Sequence, residues 1–316
     1  MLYLKPGLRV IEAHGGIHKF VGWNRAIFTD CGGFQVLSLK QDFHIRTSTK
    51  GIEFRSPFDG TKHILTPKKV MEIQNTLGSD VAMALDHMPL AGCTRKEAIE
   101  SLKNTHRWMK QCKRFHNNSK QLLFGIAQGS VYKDLREKSV RYIDSLDFDG
   151  IAFGGLAIGE PKEKTYEMVR VSSLNCSKEK PRYVMGVGSP EDILQCVSLG
   201  VDIFDSVFPT RNARHAEIFT HQGSINIENS SFKEDYTSID EECGCKVCKK
   251  HTKAYLHHLF KTKEPLGLML ASYHNLFFIQ KMLVDVRKAI KNNRFDEFKC
   301  RFMDRYVTSK LRSIKR

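Results

Sequence analysis

The chain has 316 residues, with 50 Lys and Arg against 35 Asp and Glu and a formal net charge of +15. Its 41% hydrophobic and 27% charged residues form a globular balance that excludes a wholly disordered chain. No apolar run approaches the ~18 residues of a membrane span, and the start MLYLKPGLRV lacks the apolar core of a secretory signal. Nine cysteines, an odd number, then point to reduced thiols in a cytosolic setting and away from a secreted disulfide scaffold. The charge is uneven: Lys281 to Arg316 holds 12 basic and 4 acidic residues, +8 of the +15. Such a tail reads either as a solvated helical face or as a contact for a polyanion such as nucleic acid.

Taken in chain order, short apolar runs alternate with longer amphipathic stretches. The runs are Ala26–Asp30, Val81–Asp86, Leu122–Gln128, Gly150–Gly155, Arg182–Gly186 and Val201–Asp205. Helical patterns fall at Thr94–Phe115, Lys133–Leu146, Glu163–Leu174 and Pro190–Leu199. Thr94-Arg-Lys-Glu97 has the form of a capping box, and Ser189-Pro190-Glu191-Asp192 places proline and carboxylates at a helix start. His44–Pro67, with its Asp59-Gly60 turn signal, predicts a hairpin decorating the loop after the first strand. Phe219–Phe232 reads as short strand and turn, and the remainder is mostly helical.

Strand alternating with helix predicts a parallel sheet covered on both faces. Asp30, Asp86, Gln128, Gly154-Gly155, Met185-Gly186 and Asp205 all fall at the carboxyl ends of their strands, the edge where α/β folds bind ligands. Six contributions to one mouth suit a (β/α)8 barrel better than an open crevice, yet a closed barrel needs eight strands and six are visible. The expectation is a TIM-type barrel lacking its first two strands over residues 1–230, with a zinc-binding and C-terminal helical region over residues 231–316.

Cys243, Cys245 and Cys248 set three soft ligands within six residues, a spacing that wraps one tetrahedral zinc. His251, His257, His258 and His274 are the candidates for a fourth ligand, and four protein ligands make the ion structural. Asp30-Cys31-Gly-Gly33-Phe34 brings the backbone close to a ligand and offers a flat ring. Each strand-end carboxylate alone has a plain reading as a helix cap or an arginine partner. Three of them with Gln128 at one mouth would be a costly concentration of charge without a ligand. Paired carboxylates suit sugar chemistry, one attacking an anomeric carbon and the other moving protons.

TDCGGFQVLSL, GIAQGS, GIAFGGLAIGEP, PRYVMGVG, DIFDSVFPTRNARHA and CGCKVC…YHN, in that order, closely resemble the tRNA-guanine transglycosylases of the bacterial type. The resemblance runs from Leu2 to the C-terminal helices. It implies a zinc-bearing (β/α)8 barrel, a homodimer, that replaces guanine at the wobble position of GUN anticodons in tRNA with a 7-deazaguanine. Carried over by motif, Asp205 is the nucleophile at C1′ and Asp30 the general acid/base. Asp86, Gln128 and the backbone of Gly155 and Leu156 read the polar edge of the base, and Phe34 and Met185 sandwich its faces. Arg211 and Arg214 touch the anticodon loop. The zinc ligands implied are Cys243, Cys245, Cys248 and His274.

The sequence departs from the family pattern in three places. Family members begin upstream of LYLKPG, in a part carrying two barrel strands, which agrees with the strand count. Cys31 stands where the family usually has serine, and His87-Met88 replaces the usual small or acidic residues. Ile158, a branched aliphatic, implies the small 7-aminomethyl-7-deazaguanine in preference to the bulkier queuine. An impaired or non-catalytic tRNA-binding member of the family is the alternative, set against the retention of all three aspartates.

Overall fold

The computed structural model describes residues 2–38 and 45–314, with side chains described for 2–35 and 45–306. Two compact units emerge, one of Met1–Met185 with Leu199–Ile203, the other of Gly186–Ser198 with Phe204–Arg316. The fold is α/β, built on a curled parallel sheet of TIM-barrel type. Its strands are β1 (Phe28–Thr29), β5 (Val81–Met83), β6 (Leu122–Ala127), β7 (Gly150–Phe153), β8 (Arg182–Val184) and β9 (Ile203–Phe204), ordered β1-β5-β6-β7-β8-β9. Among the described residues these six apolar runs are the strands of that sheet, as the sequence pattern predicts.

The parallel pairings set Phe28 opposite Val81, Val81 opposite Leu122, Phe124 opposite Gly150 and Ile151 opposite Arg182. Every residue of β5, β7 and β8 is buried, and so is β6 beyond Leu122, because helices cover the sheet. At Gly150 a Cβ would overlap the ring of Phe124, so only glycine admits that ring between the strands. The amino-terminal edge repeats one device. Asp80, Asp149 and Asp202 each immediately precede a strand, and each accepts a backbone N–H near the start of a neighbouring run, from Ile27 (2.7 Å), Leu123 (2.8 Å) and Arg182 (2.9 Å). These three carboxylates hold register.

Helices Arg95–Phe115, Lys133–Ser145 and Lys162–Leu174 follow β5, β6 and β7. The first starts with the expected reciprocal Thr94–Glu97 capping box. Its Trp108 is fully buried and donates Nε1–H to the Thr49 carbonyl at 3.0 Å. That bond anchors the decorating insertion, a three-stranded antiparallel sheet of β2 (Arg46–Thr47), β3 (Ile52–Arg55) and β4 (Lys62–Leu65). The Asp59-Gly60 turn joins β3 to β4, as expected, while the additional strand β2 exceeds the single hairpin. His44, the start of that predicted hairpin, lies outside the described residues.

In the second unit, β10 (Glu217–Thr220) and β11 (Gly223–Asn226) form a tight antiparallel ribbon. The helices Phe208–Arg214, Lys246–Lys250, Lys253–Lys261, Pro265–Lys291 and Phe295–Ile314 complete it. Its apolar centre gathers Ile218, Ile227, Ile239, Val247, Leu256 and Ala271 around the three cysteines of the cluster. No described helix is long and apolar enough to cross a membrane.

Candidate active site

In the first unit the strand ends converge on a buried polar cluster. Asp86, three residues past β5, is 6% exposed, and Gln128, immediately past β6, is fully buried. Gln128 donates Nε2–H to Asp86 Oδ2 at 2.6 Å, and the Cys31 thiol donates to Asp86 Oδ1 at 3.5 Å. Burial, reinforced by the negative charge of Asp30, pushes the Asp86 carboxyl up to about 6. The same two causes, burial first, raise the Cys31 thiol well above its ordinary value, so Cys31 is a neutral donor here and not a nucleophile. The thiol thus offers Asp86 a long, weak hydrogen bond at the base of the cluster.

Gln128 Oε1 is buried without a hydrogen-bond partner. A buried amide oxygen left unsatisfied is a feature that a ligand or water at the site would relieve. Gly154 and Gly155, just past β7, lie against this amide. A Cβ on Gly154 would come within 2.6 Å of Gln128 Nε2, and one on Gly155 would overlap Oε1. Gly155 also adopts φ +65°, a region where only glycine sits without strain. Leu156 is 2% exposed. Beyond it, Glu160 accepts the N–H groups of Ala157 (2.5 Å) and Ile158 (3.1 Å) and the hydroxyl of Thr165 (2.6 Å), closing the turn.

Asp30 follows β1 and is exposed, with Oδ1 accepting the Cys31 N–H at 2.8 Å. Its position is set by Gln74, which donates Nε2–H to the carbonyls of Asp30 (3.0 Å) and Thr29 (3.2 Å). Phe34 is 45% exposed on the helix Gly33–Ser38, and Met185 is half-buried at the end of β8. His87 points elsewhere. It packs 5.8 Å from Trp108 with Nδ1 at 3.2 Å from Asn104, and burial lowers its pKa, so His87 is a packing residue against the helix Arg95–Phe115.

In the second unit Asp205 is exposed and accepts the Gly186 N–H at 3.1 Å, while Ser206 returns its hydroxyl to the Gly186 carbonyl at 3.1 Å. The Gly186 N–H thus orients the Asp205 carboxylate without burying it, and the Ser206 bond ties the same turn to Gly186. Arg211 and Arg214 are exposed on the helix Phe208–Arg214. Asn275, fully buried, holds that helix by donating Nδ2–H to the Pro209 carbonyl (3.0 Å) and the Glu217 carbonyl (3.0 Å), and its Oδ1 accepts the Phe219 N–H (3.0 Å).

Adjacent in sequence, His274 faces the cysteines. Ligand atoms of Cys243, Cys245, Cys248 and His274 lie within 4.8 Å of one another, and all four residues are buried. His274 Nδ1 is 4.0, 3.4 and 3.3 Å from the three sulfurs. Its Nε2–H donates to the Phe219 carbonyl at 2.7 Å, which fixes the tautomer and turns the Nδ1 lone pair toward the thiols. Three thiolates and one imidazole, dry and mutually close, fit one tetrahedral metal ion, with no coordination position left for water.

Sequence reasoning gave no role to Gln74, Arg136, Ser139 and Asn275, which lie on helices and bond backbone groups of other elements. Nothing in a linear pattern tells a surface polar residue of an amphipathic helix from one that turns inward.

The family model for queuine tRNA-ribosyltransferase matches residues 1–308. A queuine tRNA-ribosyltransferase of Caldanaerobacter subterraneus subsp. tengcongensis is 47% identical over 96% of this chain and 81% of its own length. One from Fusobacterium nucleatum is 47% identical over 96% and 82%, and one from Francisella tularensis subsp. novicida 45% identical over 96% and 83%. The barrel-type α/β fold, with this family match and these relatives, makes the chain a transferase. The chain belongs to the queuine tRNA-ribosyltransferase family.

Proposed function

We propose that this ribosyltransferase exchanges guanine at the wobble position of tRNAs with GUN anticodons for a 7-deazaguanine, through a covalent aspartyl-ribosyl intermediate. Asp205 attacks C1′ of the ribose. The C1′–N9 bond breaks and its electron pair leaves with guanine, which takes a proton from the carboxyl of Asp30. The incoming base then gives its N9 proton to Asp30 and attacks C1′, and Asp205 departs as a carboxylate. Charges balance over the cycle, and no oxidant or nucleotide is consumed.

Asp86 and Gln128 read the base. The supporting observation is their buried, mutually bonded pair with one amide oxygen unsatisfied, a combination that folding alone disfavours. Phe34 and Met185 supply flat and apolar contact to the ring faces, and Arg211 and Arg214 meet splayed nucleotides of the anticodon loop. Ile158, half-buried in the turn closed by Glu160, favours 7-aminomethyl-7-deazaguanine over queuine. Cys243, Cys245, Cys248 and His274 hold one structural zinc ion, which supports the second unit and takes no part in bond making. The enzyme acts in the cytoplasm as a homodimer.

The test is incubation with tRNA and labelled guanine, followed by denaturing electrophoresis. The native chain incorporates label and leaves a tRNA adduct that survives denaturation, whereas Asp205→Ala does neither. An adduct persisting in Asp205→Ala removes Asp205 from this role.

A further inference from the structure

Arg136 is fully buried on the helix Lys133–Ser145, and no carboxylate is hydrogen-bonded to it among the described residues. Instead Nη1 donates to the carbonyls of Ala127 (3.0 Å) and Gly154 (2.9 Å), and Nη2 to that of Ser130 (2.9 Å). A buried cation held only by peptide oxygens is expensive to keep, and Lys or Gln could not reach all three.

The identity of those oxygens matters. The Gly154 carbonyl and the Gly155 N–H belong to one peptide group, and the Ala127 carbonyl and the Gln128 N–H to another. The Gln128 N–H donates in turn to Ser139 Oγ at 3.0 Å. Ser139 lies three residues after Arg136, so one helix face holds the Ala127–Gln128 peptide at both its ends. His106, kept neutral by burial, has Nε2 3.2 Å from Ser139 Oγ, where its lone pair accepts a hydrogen bond from the hydroxyl while the serine oxygen accepts the Gln128 N–H. Arg136 and Ser139 therefore govern the two strand ends that the base-exchange reading assigns to base recognition, without lying in the mouth themselves.

The chemistry of the polar edge follows. A carboxylate such as Asp86 only accepts, so it selects the N–H side of a purine. A backbone N–H only donates, so Gly155 selects a carbonyl oxygen. A guanidinium bonded to the carbonyl end of a peptide draws electron density along it and strengthens the N–H at the other end as a donor.

We propose that Arg136 is a specificity-determining positioning residue: by fixing and polarising the Gly154–Gly155 peptide, it makes the enzyme choose 6-oxopurines over purines lacking that oxygen. The inference rests on the base-exchange function proposed above.

The experiment measures KM for guanine, KM for tRNA and Ki for 2-aminopurine, which lacks guanine's 6-oxygen and with it the N1 proton, in the native chain, Arg136→Lys and Ser139→Ala. The native enzyme binds guanine at least ~100-fold more tightly than 2-aminopurine, since a site built to bond an oxygen discriminates strongly against its absence. Arg136→Lys raises KM for guanine about tenfold or more, while KM for tRNA and Ki for 2-aminopurine stay within about twofold. Ser139→Ala, which releases only the Gln128 peptide, raises KM for guanine about threefold. Equal losses for guanine and 2-aminopurine mean a merely structural clamp and overturn the proposal, as does an unchanged KM for guanine. Where Arg136→Lys does not fold, Arg136→Gln, a shorter and neutral donor, is measured in its place with the same expectation, and a native ratio near one by itself overturns the proposal. A native chain that exchanges no guanine at all defeats the underlying function instead.

Discussion

Asn275→Ala gives the sharpest test of how the second unit carries its arginines. The side chain is fully buried and makes three bonds of 3.0 Å, two donated to the carbonyls of Pro209 and Glu217 and one accepted from the Phe219 N–H. At about 1 kcal/mol net for each bond, alanine removes about 3 kcal/mol, and the orphaned Phe219 N–H adds up to ~1 kcal/mol more. Because Pro209 lies in the helix bearing Arg211 and Arg214, the loosened helix also raises KM for tRNA, while KM for guanine stays unchanged. Urea unfolding followed by circular dichroism measures the first effect and steady-state exchange the second. Asn275→Asp is the control. It keeps the shape but offers no donors and buries a charge, so its loss is at least as large. A loss below about 1 kcal/mol in Asn275→Ala, or a near-native Asn275→Asp, refutes the assignment of these bonds as the brace.

Asp86→Asn separates stability from activity. The folded carboxyl lies at about 6 against an ordinary 3.8, so the native state binds its proton more tightly than the unfolded chain. The stabilising contribution is therefore present at acid pH and is lost as pH rises from about 4 through about 6, by about 3 kcal/mol in total. Asparagine has no charge to bury, so the variant is more stable than the native chain at pH 7.5 and loses that part of the pH dependence, while guanine exchange falls at least ~100-fold. A variant less stable at neutral pH sinks this reading. Elemental analysis finds one zinc per chain, and prolonged chelation lowers the thermal transition and abolishes exchange. Cys245→Ser reproduces both effects, and a purified chain that retains its fold without metal contradicts a structural site.

Much of the chemistry was legible in the sequence because strand polarity sorts carboxylates by position. Asp30, Asp86 and Asp205 stand at carboxyl ends, where parallel sheets open to ligands. Asp80, Asp149 and Asp202 stand at amino ends, where the structure uses each to tie a neighbouring N–H. The metal-binding residues were legible in part. Local spacing gave the three cysteines, while the choice of His274 from four histidines came from likeness to a family, and its orientation depends on the Phe219 carbonyl 55 residues away.

The sequence by itself determined the alternation of strand and helix, the capping box at Thr94, the sheet edge that bears Asp30, Asp86 and Asp205, and the cysteine triplet, since each is written in neighbouring residues. Only the tertiary structure decided that Arg136 turns inward to hold three carbonyls, that His87 packs on Trp108, and that Asp86 becomes a weak acid. Those outcomes depend on desolvation and on partners far along the chain, which no local pattern of side chains encodes.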